Sequence, residues 1–101
     1  MKKLSDSEVK KRLAELDGWT LEAGSLCKEF KFANFAEAMK FMNRLALVAE
    51  RLNHHPDWSN SYNKVQISLT THSEGGLTGK DFQFAAATNK ATQREQNTLR
   101  G

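Results

Sequence analysis

One cysteine, Cys27, stands alone in the 101 residues. No disulfide can close within the chain, and this usage fits a reducing compartment. No apolar run approaches the roughly 20 residues that a membrane-spanning helix needs. The opening lysines, Lys2 and Lys3, are followed by polar residues rather than an apolar stretch, so a secretory leader is not expected and the cytosol is the expected location. An excess of one charge is also missing: 15 basic residues face 12 acidic ones, a net charge of +3. The densest basic cluster, Lys10-Lys11-Arg12, is what the polar face of a helix carries, so neither direct nucleic-acid binding nor membrane binding is expected. Pro56 is the single proline, and no linker, repeat or low-complexity tract divides the chain. The expectation is one domain over residues 1–101, with a modest core that association with further copies would enlarge.

What is present is regular patterning. Ser5 and Glu8 form a capping box, with Leu4 and Val9 placed as a hydrophobic staple, and Val9, Leu13 and Leu16 continue at helical spacing toward Gly18, where a left-handed stop is expected. Two short strands follow, Trp19 to Leu21 and Leu26 to Phe32, joined by a turn at Ala23-Gly24-Ser25. A long helix is predicted from Phe35 to about Asn53, capped by Asn34. Phe35, Ala38, Met42, Leu45, Ala49 and Leu52 form its apolar stripe, with Phe41 and Val48 beside it. Pro56 disfavours helix at the residue before it and stops the run. A hairpin comes next, with one arm near Trp58, a turn near Asn60-Ser61, and an alternating arm from Tyr62 to Thr71 carrying Val65, Ile67 and Leu69. The last helix is expected after Gly75-Gly76, with Thr78 as N-cap, Asp81 in the first turn, and Phe82, Ala85 and Ala86 inward, fraying after Asn89. The order α-β-β-α-β-β-α predicts an α+β fold, a four-stranded antiparallel sheet with three helices on one face. Its other face or an edge strand is left to pair with a second copy.

All three histidines, His54, His55 and His72, fall between a helix end and a strand end, at a rim where loops converge. Glu50, Asp57, Glu74 and Asp81 are acidic neighbours, and Trp58 and Tyr62 offer flat apolar walls. Imidazole suits proton transfer because its ordinary pKa, about 6.5, lies near neutrality. Glu50 precedes His54 by one helical turn and would orient it if the helix continued. Spacing alone leaves three readings open: acid–base catalysis, a solvated or capping role, and metal ligation. The last lacks any H-x-x-x-H or H-E-x-x-H motif.

The run Ala49-Glu50-Arg51-Leu52-Asn53-His54-His55-Pro56-Asp57-Trp58, then Tyr62-Asn63-Lys64-Val65, Leu69-Thr70-Thr71-His72, and Gly76-Leu77 followed by Asp81, resembles the signature of pterin-4a-carbinolamine dehydratases. The resemblance implies an enzyme that dehydrates 4a-hydroxytetrahydropterin to quinonoid dihydropterin with no metal or organic cofactor, working as a homodimer or homotetramer. It implies His54, His55 and His72 as active-site histidines, and Glu50 and Asp81 as nearby carboxylates. It also implies a pterin lined by His54 to Pro56, Trp58 and the segment Thr71, His72, Ser73 and Glu74. Two features depart from the pattern: Asn53 stands where many relatives carry an acid, and a polar tail follows Ala91. Some animal relatives also bind the dimer segment of a homeodomain transcription factor, so an interaction module is the rival reading.

Overall fold

The computed structural model describes residues 2–100, with side chains described for residues 2–92. Its elements are α1 (Asp6–Ala14), β1 (Thr20–Glu22), β2 (Ser25–Lys31), α2 (Phe35–Leu52), β3 (Asp57–Ser61), β4 (Lys64–Leu69), a 3-10 turn (His72–Glu74) and α3 (Gly79–Arg100). The strands form one antiparallel sheet in the order β1-β2-β4-β3. The fold is the expected α+β arrangement. The expected fraying after Asn89 and the question of the polar tail fall largely on residues 93–100, whose side chains lie outside the described residues.

Register explains which face of the sheet is buried. Leu26 pairs with Leu69, and Phe30 with Val65, while Ile67 lies between Lys28 and Trp58. The apolar members of these rows, Leu26, Phe30, Val65, Ile67 and Leu69, are buried under the helices. The opposite face carries Thr20, Cys27, Ser68 and Asp57 in one row and Glu29, Gln66 and Ser59 in the next. Alternation of period two thus sends one set inward and leaves a polar sheet surface outward.

Four local expectations are corrected. First, α1 ends at Ala14, not at Gly18. The amides of Glu15 and Leu16 bond to the carbonyls of Arg12 and Leu13, a tighter turn that closes the helix early, and Gly18 takes its left-handed φ of 81° in the loop beyond. Second, the hairpin turn is Tyr62-Asn63 rather than Asn60-Ser61, because Ser61 still pairs with Lys64; Tyr62 has a φ of 53°. Third, the centre of the buried stripe of α2 is Phe41, fully buried with Ala38, Leu45 and Ala49, whereas Phe35 is half exposed. The Phe41 ring meets Phe30 at 5.0 Å and Phe32 at 4.7 Å between centroids, which fixes the rotation of α2 on the sheet. Fourth, α3 turns Phe82, Phe84, Ala85 and Thr88 inward and leaves Ala86 exposed.

A polar latch ties the far side of the core. Asn89 Oδ1 accepts from Trp19 Nε1 and from Lys28 Nζ, each at 3.0 Å, and Asn89 Nδ2 donates to the Asp17 carbonyl at 3.1 Å. Burial pushes the Lys28 ammonium below its ordinary pKa of 10.5, opposed by the nearby Asp17 charge.

Truncating Phe41 to alanine is expected to cost about 3–5 kcal/mol in urea unfolding, the range for an aromatic removed from a packed core. The same change at Phe35 is expected to cost under about 1 kcal/mol. Equal losses at the two positions would contradict this orientation of α2.

Candidate functional site

The end of α2, the start of β3, the end of β4 and the start of α3 meet at one rim of the sheet, since Asp57 opens β3 opposite Ser68 near the close of β4. Asn53 caps α2 in the left-handed region (φ 50°, ψ 47°), and the chain changes direction there. The His54 amide still reaches the Ala49 carbonyl at 2.9 Å, so the residue is held against the helix end. This reversal sends the two adjacent histidines opposite ways: His54 is buried and His55 is exposed.

His54 Nε2 lies 2.5 Å from Oδ1 of Asp81, a residue with no solvent exposure. Oδ2 of the same carboxylate accepts the Thr71 hydroxyl at 2.8 Å and the Thr78 amide at 2.9 Å. Asp81 therefore caps α3, as its position in a capping box predicts, and holds an imidazole with its other oxygen. A carboxylate without water is costly to bury unless donors satisfy it, and here three donors do.

The other two histidines are wet. His55 Nε2 bonds Glu50 Oε2 at 2.6 Å, with both side chains mostly exposed. Glu50 thus meets His55 rather than His54, because the helix does not continue through Asn53 and His54 is turned into the core. His72 Nε2 stands 3.8 Å from Asp57 Oδ2, a loose exposed pair that sets His72 beside the segment beginning His54-His55-Pro56. The three imidazoles are therefore brought to one rim from two segments. His54 is fixed from within, and the other two stand on the surface with a carboxylate each.

The remaining expected residues divide. Thr71 and Asp81 join His54 directly in one network. Pro56 is half-buried, while Ser73 and Glu74 are exposed on the 3-10 turn. Trp58 is about one-third exposed and lines a cavity of about 310 Å³ with Cys27, Asp57 and Ser68. Tyr62 is no wall of the site: it lies in the turn at the opposite end of β3, and each strand residue advances about 3.3 Å. A larger cavity of about 460 Å³ borders His72 and is lined by Lys3, Leu4, Leu21, Gly24 and Gly76, but neither His54 nor His55 lines it. The expectation of one aromatic-walled cleft around three histidines is thus replaced by a rim beside a mixed polar and apolar hollow. Among the described residues, no group of three or more His, Cys, Asp or Glu is placed to hold a metal ion, and no described helix is long and apolar enough to cross a membrane.

The network contains one residue that the sequence reading placed only as a cap. Thr78 is fully buried, and its hydroxyl lies 3.0 Å from that of Thr71. The signal available in the sequence was a threonine three residues before an aspartate, which predicts the cap but not the second contact.

Asp81→Ala is expected to destabilise the fold by about 3 kcal/mol, because it strands a buried imidazole, a buried amide and the hydroxyl of the half-buried Thr71. Glu50→Ala, at an exposed pair, is expected to cost under about 1 kcal/mol. Urea denaturation of the two variants checks the contrast.

Comparison with known proteins gives a consistent result. A family model described as Pterin 4 alpha carbinolamine dehydratase matches residues 2–91. A protein of Rhizobium johnstonii, provisionally named a pterin-4-alpha-carbinolamine dehydratase, is 52% identical over 96 residues, covering 93% of this chain and 95% of its own length. A protein of the same provisional name from Sulfolobus acidocaldarius is 47% identical, covering 87% of this chain and 97% of its own. Among solved structures, the transcriptional coactivator/pterin dehydratase of Brucella melitensis superposes with a TM-score of 0.88 at 41% identity, over 90% of this chain and 99% of that one. A pterin dehydratase-like protein identified as a RuBisCO assembly factor in the alpha-carboxysome superposes at 0.64 and 24% identity, over 74% of this chain and 89% of its own, a likeness of fold alone.

Proposed function

This chain belongs to the pterin 4 alpha carbinolamine dehydratase family, and we propose on that footing that it converts 4a-hydroxytetrahydropterin to quinonoid dihydropterin by histidine acid–base catalysis. The observation that carries the residue assignment is the buried His54–Asp81 contact beside the exposed His55 and His72.

The reaction breaks the bond between a ring carbon and its hydroxyl and removes a proton from a ring nitrogen. Hydroxide leaves poorly, so an acid protonates it and water departs; a base takes the nitrogen proton. Two proton-transfer groups of suitable pKa contribute about 10²–10⁴-fold each. In this reading His54 and His72 divide the two roles, and His55, steadied by Glu50, positions the ring or its hydroxyl. Asp81 orients His54. Pro56, Trp58, Thr71, Ser73 and Glu74 lie on or beside the segments assigned to the pterin. Surface histidines fit proton exchange with water, and a fixed one fits a defined direction of attack.

The wider setting follows from the same reading: recycling of a tetrahydrobiopterin-type cofactor, in the cytosol, by one domain that assembles as a homodimer or homotetramer. The short outer strands β1 and β3 leave edges on which copies would pair. The interaction-module reading draws on the name of the Brucella structure. The exposed His55 and His72 are not needed by the core, and a scaffold would not require them beside His54 and Asp81, which favours the enzyme.

The test is dehydration of freshly made 4a-hydroxytetrahydropterin followed by absorbance. The wild-type chain is expected to accelerate it. His54→Ala and His72→Ala are expected to lower kcat by about a hundredfold or more, and His55→Ala to act chiefly through KM. Near wild-type kcat in all three variants would remove the catalytic assignment, and an inactive wild type would favour the interaction module.

A further inference from the structure

The hydrogen bonds around Asp81 can be assigned a direction by counting protons. A threonine hydroxyl has one proton to give. Thr71 spends its own on Asp81 Oδ2 at 2.8 Å. The 3.0 Å contact between the Thr71 and Thr78 hydroxyls must then be donated by Thr78. Thr78 Oγ1 in turn accepts from the Lys80 amide at 3.3 Å, in the first turn of α3. Every link runs the same way: Lys80 amide to Thr78, Thr78 to Thr71, Thr71 to Asp81. The Thr78 amide adds a second donor to Oδ2 at 2.9 Å. With Oδ2 occupied by two donors, Oδ1 is the oxygen left for His54.

We propose that Thr78 and Thr71 are positioning residues of the dehydratase, a one-directional hydroxyl chain that fixes Asp81 so that His54 carries its proton on Nε2 and presents Nδ1 as the proton-accepting atom. The proposal rests on the function argued above and deepens it, because it gives His54 the role of base. It also reassigns Thr71. Its one hydroxyl proton is given within the protein and cannot be donated to the pterin, so its contribution belongs in turnover rather than in substrate affinity. Chains of hydrogen bonds in a low-dielectric interior polarise one another, so the outer hydroxyl of Thr78 acts on His54 through two intermediaries. Thr78 itself is fully buried, which removes water as a substitute donor.

The experiment uses the full chain with Thr71→Val, Thr78→Val, Thr71→Ser and Thr78→Ser, each assayed at a temperature where circular dichroism shows it folded. Nitrogen-15 histidine spectra of the unliganded protein report where the His54 proton sits. In the wild type, that proton is expected on Nε2 and protected from exchange. Both valine variants are expected to shift its resonance and speed its exchange. In the dehydratase assay their kcat is expected to fall about tenfold, the size of one hydrogen bond lost from a network, with KM held within about twofold. Both serine variants, which keep the hydroxyls, are expected to restore both readouts. Wild-type resonance and kcat in the valine variants would overturn the proposal, as would a loss carried by KM. If the valine variants do not fold, Thr71→Ala and Thr78→Ala are read in their place with the same two expected outcomes, and a wild-type proton on Nδ1 overturns the chain in any case. If the wild type does not dehydrate the pterin, the functional reading fails, and the spectra alone judge the hydroxyl chain.

Discussion

Three donors from three elements converge on the Asp81 carboxylate, which has no solvent exposure: an imidazole just past the end of α2, a hydroxyl just past the end of β4, and the amide that opens α3. A carboxylate in such a place costs several kcal/mol unless its lone pairs are matched. The matching constrains the geometry of the whole rim. Were α3 to start elsewhere, Thr78 would not cap it. A Thr71 drawn off the end of β4 would leave Oδ2 short of a donor. And if α2 ran on past Asn53, His54 would not point inward. One polar group thus couples the packing of two helices onto the sheet to the orientation of a single side chain.

Around that fixed point the site is divided by exposure. His54 is held from within, while His55 and His72 stand in water, the first bonded to an exposed Glu50 and the second loosely paired with Asp57. Exposed ion pairs contribute little to stability, so the fold does not need these two contacts. Under the proposed function their use is in chemistry at the rim, where a side chain must meet a ligand and exchange protons with solvent. In the proposed function the rigid member would supply direction and the wet members proton traffic. A cluster of three equally buried imidazoles would lack the second property, and three exposed ones would lack the first.

Much of this was legible in the sequence, and the reasons are specific. Ser5 with Glu8, Asn34 with Glu37, and Thr78 with Asp81 are local capping signals, and each caps the helix it announces. The alternation of Val65, Ile67 and Leu69 fixed the buried face of β4 because strand period is a local property. What failed was set by tertiary contact. Phe41 lies beside the counted stripe of α2 and became its centre because Phe30 and Phe32 meet it from β2 and the chain just beyond. Glu50 was matched to His54 by helical spacing, but the left-handed Asn53 intervened and gave it His55. Tyr62 was read as part of a strand and sits in a turn far from the site. The latch of Trp19, Lys28 and Asn89 joins residues distant in sequence, and no local pattern announces it.

The coupling of a helix cap to a site has a consequence for how variants are to be interpreted. At Asp81, Thr71 and Thr78, one substitution removes a stabilising contact and disturbs the orientation of His54 together, because the same oxygen atoms serve both. Loss of activity at these positions is therefore weak evidence about chemistry unless stability is measured alongside it. At Glu50, His55, Asp57 and His72 the two effects separate, because those side chains lie in solvent and the core does not lean on them. A large fall in turnover with an unchanged unfolding curve, at an exposed histidine, is the result that folding physics alone does not produce. The rim's exposed half is thus where function is most cleanly read, even though its buried half is what sets the geometry.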